Sequence, residues 1–263
     1  MKLKYIFLTL AAAAAVFLSA AYAFRVNAGN FEELSSEKIG YGQGRNCDDE
    51  NIPYGATDFN SCYGKYNAYA LNKDSNCITL TFDQGYENGY TSSILDTLKE
   101  KNVKAVFFLT GDYAKKETEL VKRMINEGHV IGNHGMKHLS LPTLSYDDAV
   151  NEISSLHNYV KENYGYDMKI FRPPCGEYSE RALAIAQSLG YKTCLWSFAY
   201  CDWDVNNQPD TAEALDRVTG AGHKGAIYLL HSVSKTNCEI LPQVIDTLRS
   251  KGYEFADPNA MSS

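Results

Sequence analysis

The chain has 263 residues, which is enough for one barrel-sized domain with a substantial core. Its formal net charge is −7 at pH 7 and its basic residues form no clustered stripe, so nucleic-acid binding is not expected. The acidic balance also argues against strong attraction to an anionic polymer, whereas neutral or mixed-charge saccharides remain compatible with it.

Residues 1–23 are predicted to form a signal peptide. Lys2 and Lys4 give a basic start, residues 5–20 are apolar, and the string A-Y-A at 21–23 fits the small-x-small cleavage pattern. An uncleaved membrane anchor is the alternative, because the apolar stretch is long enough to span a bilayer. In both cases the rest of the chain is expected to be exported and to act outside the cytoplasm.

Residues 24–74 are rich in Tyr, Asn, Gly and Asp without sustained periodicity, so we expect an irregular N-terminal segment there. From Cys77 onward, strand patterns and helix patterns alternate. Strands are predicted at Cys77–Phe82, Ala105–Thr110, His129–Gly132, Lys169–Phe171, Tyr191–Ser197 and Ala226–Leu230. Helices are predicted at Gly89–Lys101, Leu120–Gly128, Asp147–Tyr164, Ser179–Leu189, Thr211–Ala221 and Asn237–Lys251.

This strict alternation of strands and helices is typical of a parallel sheet in an α/β protein. About six or seven such units, without a G-x-G-x-x-G fingerprint, favour an irregular (β/α) barrel over a dinucleotide-binding sheet. The predicted barrel domain covers residues 75–258.

The seven cysteines include no C-x-x-C pair, so neither a structural zinc site nor a thioredoxin-type motif is expected. Cys47 and Cys62 lie in the loop-rich N-terminal segment and are the strongest candidates for a disulfide bond. Cys77, Cys194 and Cys201 lie in or beside predicted strands and are interpreted as small buried apolar residues. The sequence leaves the disulfide connectivity open.

Polar residues follow directly on several predicted strands, and these residues form the candidate site. The first strand ends at Asp83, just before a turn at Gly85. A carboxylate at the exit of a buried strand needs a partner or a task, and barrel enzymes build their active sites at such positions. Three later strands deliver polar residues in the same way: His134 and His138, Arg172, and His231.

His134 and His138 stand four positions apart, so a helical or tightly turned backbone would bring both imidazoles to one point. The alternative is a pair of loop histidines that bind nothing. The equivalent positions of Asp83 and His231 at other strand ends favour a divalent-metal site.

His231 can serve as a general acid near neutral pH, although a structural core histidine is the alternative. Arg172 precedes two rigid prolines and would keep a neighbouring Asp83 ionised, unless it is a surface residue of a turn. Asp202 could orient an imidazole, and Trp203 could form a wall of a sugar pocket.

Together these segments resemble five motifs of the NodB-homology polysaccharide deacetylases, also called carbohydrate esterase family 4. The strings are T-F-D-Q-G, H-G-M-K-H, R-P-P-C-G, C-D-W and L-L-H, in the family's order and within residues 77–255. Longer strings such as T-F-D-Q-G-Y-E-N-G-Y-T are similar to one subgroup, the delta-lactam-biosynthetic (PdaA-like) deacetylases, which act on muramic acid in spore-cortex peptidoglycan. The resemblance implies the irregular barrel of this family.

The resemblance also implies catalytic roles for the candidate residues. Asp83 would be the base that activates water, with Arg172 as its tuning partner. His134 and His138 would hold a divalent metal ion, for which zinc is the first candidate and cobalt, manganese or nickel are alternatives. His231 would protonate the departing amine.

The remaining implied roles concern orientation and substrate binding. Asp202 would orient His231, and the backbone N–H of Cys175 would help to bind the developing oxyanion. Leu229 and Trp203 would form a small acetyl pocket.

One position departs from the family pattern. Gln84 stands where the wider family has a second aspartate as a metal ligand. A glutamine oxygen is neutral and a weaker ligand, so lower metal affinity is expected. The PdaA-like subgroup also carries an amide residue at this place, so the change is compatible with an active enzyme.

The leading hypothesis is therefore a metal-dependent N-deacetylase acting on N-acetylmuramic acid of peptidoglycan, on the way to the muramic delta-lactam of the spore cortex. A deacetylase of N-acetylglucosamine polymers or an O-acetyl xylan esterase is the second hypothesis. A non-catalytic wall-binding protein whose site degraded at Gln84 is the third. The expected partners are peptidoglycan glycan strands in the cell wall or spore-cortex space.

Overall fold

The computed structural model describes residues 31–72 and 76–259. The predicted signal peptide at 1–23 therefore lies outside the described residues. Within the two described ranges, no helix has both the length and the apolar character that crossing a membrane requires.

A large parallel sheet forms the centre of the described chain. The strands are β1 (Ile39–Gly40), β2 (Ala68–Tyr69), β3 (Cys77–Gln84), β4 (Ala105–Leu109), β5 (Val130–Asn133), β6 (Ile170–Phe171), β7 (Glu177–Tyr178), β8 (Lys192–Cys194), β9 (Phe198–Ala199), β10 (Ile227–His231) and β11 (Glu254–Phe255). The large sheet has the order β2-β8-β6-β5-β4-β3-β10-β9, with β11 paired to β3, and β1 pairs separately with β7. Its pairings are all parallel, as the alternation of elements predicts.

Helices connect the strands, and most of them pack on the face of the sheet that carries the main core. They are α1 (Tyr54–Tyr63), α2 (Thr91–Glu100), α3 (Gly111–Lys116), α4 (Thr118–Asn126), α5 (Tyr146–Tyr164), α6 (Glu180–Ser188), α7 (Thr211–Gly220) and α8 (Lys235–Ser250). Each helix predicted from the sequence is present with small shifts at its ends. The short α3 escapes prediction because its few residues cannot show a helical period.

Alternation along the strands separates two apolar layers. On β3, Ile78, Leu80 and Phe82 belong to the main core, which includes apolar residues of the surrounding helices. The opposite face carries a smaller apolar cluster that includes Phe108. Because Asp83 pairs in register with Phe108, its side chain points to this inner face, where the carboxyl ends of the strands meet.

The described part of the N-terminal segment is more regular than the sequence predicts. It contains α1, and its β2 pairs with β8 at the edge of the large sheet. Only Ala56 and Phe59 of α1 are buried, which explains why its sequence shows no clear helical pattern. Both residues pack in a second apolar cluster with Leu195 and Leu229, so packing on the sheet orders this segment.

Two expectations about the cysteines are wrong. All seven lie in the described residues, where none forms a disulfide bond, and Cys47 and Cys62 are both exposed. Cys194 is buried as expected, but Cys201 is exposed because it follows the end of β9 in a loop. Cys77 is partly buried.

Candidate active site

A cavity of about 690 Å³ opens where the carboxyl ends of the parallel strands converge. Among the residues predicted for the site, those that line it are Asp83, His134, His138, Cys175, Trp203, Leu229 and His231. The other two predicted residues, Arg172 and Asp202, are completely buried and contact residues that line the cavity. The structure thus brings together side chains that are far apart in the sequence.

Asp83 lies at the floor of the cavity, paired in register with His231 on the neighbouring strand β10. Its Oδ1 accepts a hydrogen bond from Nη1 of Arg172 at 2.8 Å, and its Oδ2 lies 3.5 Å from Nε2 of His134. Burial by itself would raise the pKa of Asp83, but the positive charge of Arg172 and the two nearby histidines outweigh it and lower the pKa. Asp83 is therefore ionised at neutral pH.

Arg172 follows β6 and is an interior residue, so the surface-turn alternative is wrong. Its Nε donates to the carbonyl of Cys194 at 3.0 Å, and its Nη2 donates to the carbonyl of Leu195 at 3.1 Å. Its Nη1 donates to Oγ1 of Thr81 and to Asp83, both at 2.8 Å. A guanidinium with all three nitrogens bonded holds the carboxylate of Asp83 in one orientation.

The imidazoles of His134 and His138 meet at the other side of Asp83. Nδ1 of His134 lies 2.8 Å from the carbonyl of Arg172, and a carbonyl only accepts, so this nitrogen carries the proton. The Nε2 lone pair of His134 then points toward Nε2 of His138, 3.1 Å away. Burial lowers the pKa of His134 to about 4 and also lowers the pKa of His138, so both rings are neutral at neutral pH.

The loop that carries His138 has an unusual backbone held by a residue that lies outside the sequence motifs. Gly135 and His138 both adopt positive φ angles, 82° and 58°. Oε1 of Glu152, which is buried on α5, accepts hydrogen bonds from the backbone N–H of Lys137 at 2.7 Å and of Leu139 at 3.2 Å. The one sequence signal for this role was an acidic residue at a position of the predicted helix that faces the core.

The donor atoms of the site fit a metal ion held by two imidazoles. Two nitrogens bound to one zinc ion in tetrahedral geometry lie about 3.3 Å apart, close to the 3.1 Å between His134 and His138. Gln84 is buried, does not line the cavity, and donates from Nε2 to Oγ of Ser232 at 2.5 Å. Its Oε1 has no hydrogen-bond partner in the described residues, and those residues contain no three-membered His, Cys, Asp and Glu group arranged for a metal.

His231 lines the same cavity as the histidine pair and is oriented by Asp202. Its Nδ1 donates to Oδ1 of Asp202 at 2.7 Å, and its backbone N–H donates to Oδ2 at 2.8 Å. Nδ2 of Asn237 also donates to Oδ2 of this carboxylate. Burial by itself would lower the pKa of His231. The hydrogen bond to Asp202 and the negative charges of Asp202 and Asp83 together outweigh burial, so the pKa is raised. The core-histidine alternative does not account for a ring that lines the cavity.

The apolar wall of the cavity differs from the one expected. Leu229 is buried in the wall, but Trp203 is 58% exposed at the rim. A second tryptophan, Trp196, is only 8% exposed and lines the cavity in the same apolar cluster as Leu229. Cys175 also lines the cavity and adopts a left-handed backbone with φ 57°. Trp196 lies in a predicted strand, so its sequence position indicated only a core residue.

Three comparisons show which known proteins the chain is similar to. The profile of the polysaccharide deacetylase family matches residues 70–194. The chain is 43% identical over 224 residues to an uncharacterized 30.6 kDa protein of the fumA 3′ region of Geobacillus stearothermophilus, covering 84% of each chain. It is 41% identical over 226 residues to the peptidoglycan-N-acetylmuramic acid deacetylase PdaA of Bacillus subtilis, covering 85% of this chain and 86% of that one. The solved structure of Bacillus subtilis PdaA, described as a family 4 carbohydrate esterase, matches with a TM-score of 0.79 over 84% of this chain and 95% of that chain.

Proposed function

The chain belongs to the polysaccharide deacetylase family, carbohydrate esterase family 4, and on this premise we propose that it removes the N-acetyl group from N-acetylmuramic acid in peptidoglycan. Membership makes it a hydrolase of amide bonds. The observation that carries the proposal is the convergence of Asp83, the His134–His138 pair and His231 on one cavity. The muramic substrate is supported by the 41% identity to PdaA over nearly the whole chain.

Asp83 serves as the general base in this proposal. Its carboxylate is ionised, and Arg172 fixes Oδ1, which leaves Oδ2 on the side of His134 to accept a proton from water. The oxygen of that water forms a bond to the acetamide carbon, and the carbonyl π electrons move to oxygen. The backbone N–H of Cys175 at the cavity wall would donate to the resulting oxyanion.

His231 serves as the general acid that completes the reaction. Because Nδ1 donates to Asp202, Nε2 is the nitrogen left to face the substrate. The pKa of His231 is raised above its ordinary value, which favours the protonated ring that a general acid requires. Nε2 gives its proton to the sugar nitrogen as the C–N bond breaks, which leaves acetate and a free amine.

We further propose that His134 and His138 hold a divalent cation, with zinc as the first candidate. Their Nε2 atoms would supply two of its ligands, and the bond from Nδ1 of His134 to the Arg172 carbonyl leaves Nε2 of His134 unprotonated for this role. When bound, the cation supplies Lewis-acid polarisation of the acetamide carbonyl. The chain's own contribution is to keep both rings neutral and their nitrogens directed at one point.

The product chemistry connects this activity with the muramic delta-lactam. The freed amine and the lactyl carboxyl group stand on one sugar ring, so proximity favours their condensation to a lactam with loss of water. Such a substrate lies outside the cytoplasm, in agreement with the export signal proposed at 1–23. Leu229 and Trp203 would contact the acetyl group and the sugar, respectively.

The proposal is tested by acetate release from glycan strands stripped of peptides, with N-acetylglucosamine polymers and acetylated xylan as competing substrates. The wild type should release acetate from the muramic residues, lose this activity on chelation and regain it on zinc addition. Asp83→Asn should lower the rate by about 100- to 10,000-fold, because it removes the base without changing the side-chain shape. Asp112→Asn is the matched control, since Asp112 is exposed and pairs with Lys116 on α3.

Each alternative has its own outcome in this assay. Acetate release only from the chitin-like polymer or xylan would reject the muramic substrate. An inactive wild type that still binds the cell wall would favour the wall-binding protein.

A further inference from the structure

We propose that Trp196 is the end wall of the acyl pocket and that the N-terminal strap, residues 39–43, positions it. On this basis the strap limits the enzyme to short N-acyl groups. The inference rests on the proposed deacetylation, and it assigns the specificity to residues outside the recognised motifs. The N-terminal strap belongs to the segment in which the sequence shows no pattern.

The location of Trp196 makes it the candidate wall. It is 8% exposed and Leu229 is 7% exposed, both line the cavity, and both belong to one apolar cluster. Trp203 is 58% exposed, so it offers a face to a sugar at the rim and leaves the inner end to Trp196. A methyl group buried against Leu229 and Trp196 would leave water, which favours binding.

Gln43 of the strap holds the indole by its polar edge. The indole Nε1 of Trp196 donates to Oε1 of Gln43 at 2.9 Å. Nε2 of the same amide donates to the carbonyl of Ala199 at 3.2 Å. One side chain therefore links the indole to β9, and Ala199 itself lines the cavity. The amide uses both ends, so its orientation is determined.

Tyr41 holds the backbone and the face of the same residue. Its hydroxyl donates to the carbonyl of Trp196 at 2.6 Å, and its ring meets the indole edge to face at 5.2 Å. Its backbone N–H donates to the carbonyl of Gly176 at 2.9 Å. The strap thus joins the loop that carries Cys175 to the strand end that carries Trp196.

Close packing against Gly176 restricts movement of the indole. A Cβ atom placed on Gly176 would lie 2.7 Å from Cη2 of Trp196, so the ring already presses against this backbone. An acyl group longer than acetyl would have to displace the indole and break its bond to Gln43. The structure therefore accounts for a depth limit set by Trp196 and the strap, which lie outside the five motifs, together with Gly176 of the R-P-P-C-G motif.

The test compares N-acetyl and N-propionyl forms of the same glycan oligomer. An added methylene in a tight apolar pocket should lower kcat/KM of the wild type about 10- to 200-fold. Gln43→Ala frees the indole edge and Trp196→Phe shortens the wall, so each should improve the propionyl-to-acetyl ratio about tenfold or more. Gln187→Ala is the matched control, because its amide bonds to the Lys65 carbonyl and the residue does not line the cavity.

A second variant reaches the strap without removing any of its side chains. A Cβ on Gly55 of α1 would lie 2.6 Å from the backbone oxygen of Gln43, so Gly55→Ala should displace Gln43 and shift the ratio in the same direction. It replaces Gln43→Ala if that variant does not fold, as judged by circular dichroism.

The outcomes separate this inference from the proposed function. An active wild type whose acyl ratio stays unchanged in all three variants, even if their rates fall equally, overturns the strap inference alone. A wild type that releases neither acyl group overturns the proposed deacetylation and this inference with it.

Discussion

Arg172 contacts both the proposed base, Asp83, and the candidate metal ligand, His134. Its guanidinium donates a hydrogen bond to Asp83, while its backbone carbonyl accepts a hydrogen bond from the protonated Nδ1 of His134. The side chain thus keeps the base ionised, and the main chain sets the tautomer of a candidate metal ligand. A change in the position of this one residue would affect both functions, and the two prolines that follow it restrict the backbone there.

The pH profile depends on His231 and Asp202. In the proposed reaction His231 must be protonated, and Asp202 raises its pKa above the ordinary value of 6.5, so activity should be lost only as pH rises through this raised pKa. Asp202→Asn removes the charge, lowers the pKa of His231 and should move the alkaline limb of kcat/KM to lower pH. Rates measured from about pH 5 to pH 9 would check this, and an unmoved alkaline limb in the variant would contradict the assignment.

At the scale of secondary-structure elements, α5 determines the shape of the loop after β5. Glu152 reaches from the helix into the loop and binds two of its backbone N–H groups. A Cβ on Gly135 would lie 2.7 Å from Oε1 of Glu152, so the loop approaches the carboxylate as closely as a glycine permits. The position of His138 therefore depends on an element outside the motif.

Glu152→Ala should leave the N–H groups of Lys137 and Leu139 without their acceptor, which costs about 1–3 kcal/mol of unfolding free energy. It should also weaken zinc binding about 10- to 100-fold, because the variant loosens the support of a ligand. Glu152→Gln keeps an oxygen acceptor and should stay close to the wild type. Urea unfolding and chelator competition measure both effects, with the exposed Glu162→Ala on the same helix as the control. Equal zinc affinity in all three variants would refute the supporting role of Glu152.

Across the whole molecule, the strand order converts distant sequence positions into neighbours. β3 lies between β4 and β10, so Asp83 pairs with His231 although the two are separated by most of the domain. Arg172 then spans the inner face from β6 to β3 and packs 4.0 Å from the ring centre of Phe108. The interior of the sheet is therefore organised around one buried ion pair in an apolar surrounding.

Arg172→Met should destabilise the protein by about 3–5 kcal/mol at neutral pH, because it leaves the Asp83 carboxylate buried without its partner. Arg172 lowers the pKa of Asp83, so its stabilising effect is present above the ordinary pKa of 3.8 and is lost as pH falls through the lowered value. The double variant Asp83→Asn with Arg172→Met should recover part of the loss. Urea unfolding measures each value, and exposed Arg45→Met should change little. A single variant as stable as the wild type would show that the pair contributes nothing.

Local pattern alone predicted the main strands and helices from Cys77 onward and grouped several residues of the candidate site. The run ending at Asp83 shows a strand by its alternation, and polar residues placed directly after strands must meet at one edge of a parallel sheet. For this reason His134, His138 and His231 could be grouped before any coordinates were known. Periodicity records which face of an element is buried, and this information survives in a single sequence.

Which segments support that edge depends on contacts between residues that are distant in the sequence. The N-terminal strap and α1 show no clear hydrophobic period in the sequence. A few contacts with the sheet order them, and α1 has no continuous amphipathic face of its own. The bonds of Gln43 to Trp196 and of Glu152 to the loop before His138 join residues that no spacing rule connects. The described residues also lack a Cys47–Cys62 disulfide. The sequence could not exclude this bond, because pairing of cysteines depends on their distance in space.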